Sequence, residues 1–156
     1  MSSLSTHPSN DLTAAIRQAV DTLQVDPRAA LQQAEHILSA HPVSDAARKL
    51  MGVAWRLLGE PQKALGIIEP LAARFDESAD LMHELGLCLG AAGRGNDAIA
   101  ALRRAIAIDG NHAGAWRSLG DQLSAANDMK AAELAYEKHL SLSTRHPELL
   151  DAAAFL

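Results

Sequence analysis

Trp116-Arg117-Ser118-Leu119-Gly120-Asp121-Gln122-Leu123, a turn at Asn127-Asp128, and Ala132-Glu133-Leu134-Ala135-Tyr136 set the pattern of this chain. An aromatic residue precedes Leu-Gly by three positions, and an alanine precedes an aromatic by four. A shift of 34 residues lays Leu85-Gly86 over Leu119-Gly120 and Ala98 over Ala132. A second shift brings Gly52 and Ala64 into the same columns. Ser44 and Ser78, one period apart, stand where helix N-caps belong. Gly59, Gly93 and Asn127 recur at the same interval, and these residue types tolerate the left-handed conformation that closes a helix. A period of this length, filled with apolar residues at helical spacing, predicts repeated helix pairs and an all-α fold.

The rest of the chain fits that frame. Met1 to Asn10 reads as a disordered arm, and residues 11–156 as a single domain. Its repeats cover about 11–44, 45–78, 79–112 and 113–146, with a terminal helix over 147–156. The first repeat is degenerate. It carries Leu12, Ala15, Ile16, Ala19 and Leu23, then the helix start Asp26-Pro27, and it stops at His41-Pro42. Its phase shows in Asp26-Pro27, which the period carries onto Glu60-Pro61. Gly52, Gly86 and Gly120 form a mid-helix column, where glycine costs about 1 kcal/mol against alanine. Close approach of the paired helix explains them, with the small Ala64, Ala98 and Ala132 expected opposite. The apolar run Pro147 to Leu156 ends without a cap and reads as a truncation or as a surface that a partner covers.

Composition narrows the function class. The chain has 156 residues, 48% of them hydrophobic but only 3% aromatic, which suits helices and one full core. A formal net charge of -5 argues against nucleic acid or an anionic membrane as partner. No apolar run approaches the roughly 18 residues of a membrane span. The N-terminal stretch lacks the basic and apolar regions of a signal peptide, and the single Cys88 fits a reducing cytoplasm.

Trp-x-x-Leu-Gly, Ala-x-x-x-aromatic and the period of 34 resemble the tetratricopeptide (TPR) family over about residues 11–146. The resemblance implies a right-handed superhelix of antiparallel helix pairs, a TPR-like α-solenoid. It departs from the family's tyrosine column, which holds Trp55, Leu89 and Leu123, and from its closing proline, present only as Pro42. Less regular connections are therefore expected from Asp76 to Asn111 and from Leu142 to His146. Ala115–Leu123 together with Ser143–Ala154 is also similar to the N-terminal repeat region of bacterial TPR-containing sulfotransferases. That likeness implies an accessory domain of a longer enzyme whose donor-binding loop lies elsewhere.

The residues themselves supply no catalytic set. No two histidines stand four apart, and no Cys or carboxylate cluster completes a zinc-like group. Cys88 lies on an apolar helix side and reads as a small core residue. The glycines of Gly90-Ala-Ala-Gly93-Arg-Gly95 follow a helix and lack Gly-Lys-Ser/Thr, so they stop a helix and do not form a phosphate loop. No catalytic residue, cofactor or metal is expected, and the chain is read as a non-enzyme.

A binding surface is the remaining feature. The TPR resemblance implies that the first helix of each pair lines a concave groove. One column there reads Ala15, Lys49, His83, Arg117, and the next reads Ala19, Val53, Leu87, Asp121. Basic groups spaced by roughly 10 Å would line the groove. Arg56, Asp80 and Glu84 add charge nearby. The expectation is a scaffold that takes a protein or peptide segment bearing acidic groups over an apolar floor. An ordinary solvated helix face is the alternative, because Asp80, Glu84 and Asp121 offset the positive charge. The asparagine-rich carboxylate clamp of heat-shock co-chaperones is absent from these columns. Self-association through the terminal helix is a further expectation.

Overall fold

The computed structural model describes residues 8–145, with side chains over 10–144. Every element among them is an α-helix: α1 (Pro8–Val25), α2 (Pro27–Ala40), α3 (Asp45–Leu57), α4 (Pro61–Arg74), α5 (Ala79–Ala91), α6 (Gly95–Ile108), α7 (Ala113–Ala125) and α8 (Met129–Arg145). Helix α1 already begins at Pro8, inside the stretch expected as an arm. The expected terminal helix 147–156 lies outside the described residues. The all-α expectation holds. The irregular connections expected from Asp76 to Asn111 do not appear, because α5 and α6 fill 79–108. Ser78 caps the first of these helices and Gly93 closes it, so a proline is not needed there. Helix α8 likewise runs on through Thr144 to Arg145.

The period is visible in the helix ends. Ser44 Oγ accepts from the Ala47 N–H at 3.2 Å and Ser78 Oγ from the Leu81 N–H at 3.3 Å. One period later the cap is His112, whose Nδ1 accepts from the Ala115 N–H at 3.0 Å. At the other end, Gly59, Gly93 and Asn127 have φ of 78°, 77° and 63°. Each sits one residue past the helical turn. The N–H of the next residue reaches back five positions: Glu60 to the Trp55 carbonyl, Arg94 to Leu89 and Asp128 to Leu123, all at 2.9 Å. The left-handed residue itself reaches back three. This is the Schellman closure, which satisfies two otherwise orphaned carbonyls. Asp26 and Asp128 then cap the second helices of their pairs.

The chain divides into two compact units, residues up to Ile67 and from Ile68 onward, with the boundary inside α4. In the first unit α1, α2 and α3 pack around Ala19, Leu23, Ala30, Leu31, Ala34, Ile37, Ala47, Leu50 and Ala54. Five alanines among nine buried residues let the helix axes approach closely. In the second unit α6, α7 and α8 enclose Ile99, Leu102, Leu119, Leu123, Ala132 and Ala135. Ala72, Met82, Ala105 and Ala115 form a smaller cluster beside Leu85 and Ile106.

The glycine column has a different partner from the one expected. A Cβ on Gly86 would lie 2.6 Å from Leu102 Cγ, and on Gly120 2.6 Å from Tyr136 Cε1. Ala98 offers Gly86 only its carbonyl oxygen, at 3.4 Å. A helical side chain leans toward the N-terminus and covers the turn before its own Cα. Leu102 and Tyr136 therefore occupy the space over Ala98 and Ala132, and the glycines receive them.

Candidate functional site

The nine residues expected to line the groove fall on three first helices. Lys49, Val53 and Arg56 are on α3 in the first unit. Val53 is half-buried and packs against that unit's core, while Lys49 is half-buried with no ion pair among the described residues. Arg56 has a side-chain partner.

In the second unit α5 and α7 pack side by side and carry the other six. Asp80, His83, Leu87 and Gly90 follow one another at i, i+3, i+7 and i+10, which is one stripe of α5. Gly114, Ser118 and Gln122, at i, i+4 and i+8 of α7, meet His83 and Gly90 of that stripe. The stripe opens on Asp80, whose Oδ1 accepts from His112 Nε2 at 3.0 Å. This fixes the His112 tautomer. Its Nδ1 lone pair takes the Ala115 N–H, so the proton sits on Nε2 and is given to Asp80. The His83 ring meets the His112 ring edge-on, with centroids 4.8 Å apart and planes at 65°. His83 Nε2 lies 2.9 Å from Ser118 Oγ across the two helices. Gly114 makes room for this, since a Cβ there would stand 3.1 Å from His83 Cε1.

Further along, Leu87 is half-buried. Arg117 is exposed and forms no ion pair among the described residues. Asp121 Oδ1 accepts from the Tyr136 hydroxyl at 2.7 Å. That hydrogen bond, helped by burial and by the carboxylate's charge, holds the Tyr136 hydroxyl above its ordinary range, while Arg117 pulls it down. The stripe closes on a cleft of about 380 Å³ bordered by Gly90, Gly93, Gly95, Gln122 and Ala125. The Gln122 amide lies against Gly90, where a Cβ would come within 2.5 Å of Nε2.

Glu84 does not join this stripe at the surface. It is 8% exposed, and Cys88 Sγ, fully buried, donates to its Oε1 at 3.7 Å. The signal was available, because the period places Glu84 in the column of Leu50, itself 4% exposed. Sequence reasoning also missed His112, Gly114, Ser118 and Gln122. His112 stands one period after Ser78 and two after Ser44, and that column announces a cap.

The stripe offers hydrogen-bond donors and acceptors and an apolar contact, and α7 also carries the exposed Arg117. Among the described residues no group of three His, Cys, Asp or Glu side chains could hold a metal ion. No helix among them is long and apolar enough to cross a membrane.

The fold is similar to that of MamA. A crystal structure of MamA matches with a TM-score of 0.70 at 20% identity, covering 90% of this chain and 83% of that one. MamA from Desulfovibrio magneticus RS-1, residue 41 to its end, matches with a TM-score of 0.74 at 20% identity over 89% of this chain and 79% of that one. A further MamA structure, from MSR-1, matches at 0.67 and 15% identity over 86% and 78%. MamA is a TPR-like helical-repeat protein, so the TPR-like fold of this chain is shown. No model of a known protein family matches the chain, and no curated protein matches it.

Proposed function

We propose that this chain is a non-enzymatic interaction scaffold that takes an extended protein or peptide segment on the faces of its first helices. The α5–α7 stripe carries this reading. Its polar side chains are largely tied to one another, Asp80 to His112 and His83 to Ser118, so the floor is ordered before any partner arrives. Little side-chain entropy remains to be lost on binding. Arg117 stands exposed on α7 without an ion pair among the described residues, and Leu87 is half-buried on α5. An exposed guanidinium suits a carboxylate-bearing segment, which it can hold with two parallel hydrogen bonds. On α3, Lys49 and Val53 repeat the combination of a basic and an apolar group. The TPR-like fold supports the reading, because proteins built of stacked helix pairs use such helix faces as binding surfaces.

The test is a random-peptide library panned against the folded protein. Enriched peptides carry Asp or Glu, and Lys49→Glu/Arg117→Glu loses them with a melting temperature within a few degrees of wild type. Enrichment indifferent to the double variant refutes the reading.

Two other readings rest on sequence. The likeness of Ala115–Leu123 and Ser143–Ala154 to sulfotransferase repeat regions supports an accessory role in a longer enzyme, and reading the gene beyond Leu156 tests it. Self-association through residues 147–156 is tested by sedimentation, where a clean monomer at high concentration counts against it.

A further inference from the structure

The repeat shows which face of each helix its neighbour covers, and in α1 and α8 that face is exposed among the described residues. In α1 it carries Thr13, Arg17 and Asp21, all exposed. The period carries Thr13 onto the buried Ala47, Leu81 and Ala115. It carries Arg17 onto Met51, Leu85 and Leu119, which pack into the cores, and Asp21 onto Trp55 and the buried Leu89 and Leu123. In α8 the matching positions are Glu133 and Leu140. Glu133 stands in the column of the buried Leu31, Leu65 and Ile99 and is itself exposed. Leu140 stands in the column of the half-buried Leu38 and Ile106 and the buried Ala72, yet it is 60% exposed. Neither Arg17 nor Glu133 forms an ion pair among the described residues.

The inner helices supply the register. Leu31 of α2 shares a core with Met51 of α3, and Ile99 of α6 shares one with Leu119 of α7, each partner twenty positions on. Ile106 shares its core with Trp116 and Ala72 with Met82, each ten positions on. Continued past α8, this register puts the column of Arg17 opposite Glu133 and the column of Ala14 opposite Leu140. In this chain those places belong to Ala153 and Leu150. Ala153 would cover the Glu133 carboxylate without pairing it, and an unpaired covered charge is costly. The α1 of a second copy brings Arg17 to Glu133 and Ala14 to Leu140 instead. Helices joined by short turns run antiparallel, so Asp21, one turn on from Arg17, then comes toward Lys130, one turn back from Glu133.

We propose that the exposed face of α8 docks on the exposed face of α1 in a second copy of this chain. Glu133 pairs with Arg17 and Lys130 with Asp21, on either side of the apolar contact between Leu140 and Ala14. The charges are complementary at both places, and each is already exposed on its helix. The contact joins two different surfaces, so each copy of a pair keeps one of them open, and association continues or closes a ring. It uses the side of α1 opposite the column of Ala15 and Ala19. It therefore depends neither on the binding faces proposed above nor on residues 147–156.

The experiment is sedimentation velocity of the whole chain over a range of concentrations, beside variants at these exposed positions. The wild-type chain should gain mass with concentration, and less so at high salt. Arg17→Glu and Glu133→Arg each bring like charges together and should weaken association by about fivefold. Arg17→Glu/Glu133→Arg should restore it. Mixing the two single variants should restore it as well, because each meets the opposite charge on the other. Melting temperatures within a few degrees of wild type confirm that the variants fold. A wild-type chain that stays monomeric, single reversals that associate as wild type does, or a double variant that fails to recover each overturns the proposal. Association that is lost in Leu149→Lys/Leu150→Lys but indifferent to the charge reversals belongs to residues 147–156 and overturns it too.

Discussion

Gly86 offers a test in which two general tendencies point in opposite directions. Alanine is favoured over glycine inside a helix by about 1 kcal/mol, so Gly86→Ala would ordinarily stabilise α5. Here the new Cβ would lie 2.6 Å from Leu102 Cγ and 2.8 Å from Leu102 Cδ2, against an ordinary contact that starts at 3.4 Å. Leu102 is fully buried and cannot swing into solvent to make room. Forcing extra volume into such a site costs roughly 1–3 kcal/mol. The net expectation is a loss of about 0–2 kcal/mol, a fall of a few degrees in melting temperature for a chain of this size. The decisive measurement is the same substitution in a Leu102→Ala background, compared by urea or thermal unfolding. Leu102→Ala alone costs about 2–5 kcal/mol. With the obstacle gone, Gly86→Ala should become stabilising by about 1 kcal/mol. Gly66 is the internal control: it sits mid-helix in α4, and a Cβ there would meet nothing within 4 Å. Gly66→Ala should therefore stabilise by about 0.5–1 kcal/mol. Equal gains from Gly86→Ala in both backgrounds would refute the argument that Leu102 imposes the glycine.

Three further outcomes can be checked. His112→Ala should cost about 0.5–2 kcal/mol through loss of the α7 cap, and His112→Ser should recover most of it, because Ser44 and Ser78 do the same work two periods and one period earlier. Asn127→Gly should raise stability by about 0.5–1 kcal/mol and Gly93→Ala lower it by about 1 kcal/mol or more, since both positions hold positive φ. Tyr136 is the chain's single tyrosine, so phenolate absorbance reports it alone. Its midpoint should lie above that of a free tyrosine; Asp121→Asn should lower it and Arg117→Ala raise it further. The folded-state value is the raised one, so the associated stability is complete below the unfolded tyrosine's pKa and lost as pH rises through the folded one. A midpoint unmoved by Asp121→Asn would refute the hydrogen bond's role.

The fold was legible because its signals repeat. Ser44, Ser78, Gly59, Gly93 and Asn127 each mark a helix end, and agreement at a fixed interval reinforces each one. Packing partners were harder to read. The glycine column showed that something comes close, but spacing does not reveal the lean of a side chain, so Leu102 and Tyr136 were displaced by one turn to Ala98 and Ala132. The candidate site was harder still. A column can show that Lys49, His83 and Arg117 share a helix position, but not that His83 is engaged by Ser118 and His112 while Arg117 remains exposed. Those differences arise from residues on neighbouring helices, and a single-helix pattern does not contain them.

Helices in each unit pack on near neighbours: α1 on α2 and α3, α2 on α3, α5 on α6 and α7, α6 on α7, and α7 on α8. Among the described residues, none of these pairings spans more than the next helix but one. Chains joined mainly by such short-range contacts close small loops first and lose little entropy before contacts reward it. Folding can therefore start at any adjacent pair and spread outward, and unfolding can start at an end and remove one helix at a time. Hydrogen exchange should accordingly be graded along each unit, with α8 opening before α6.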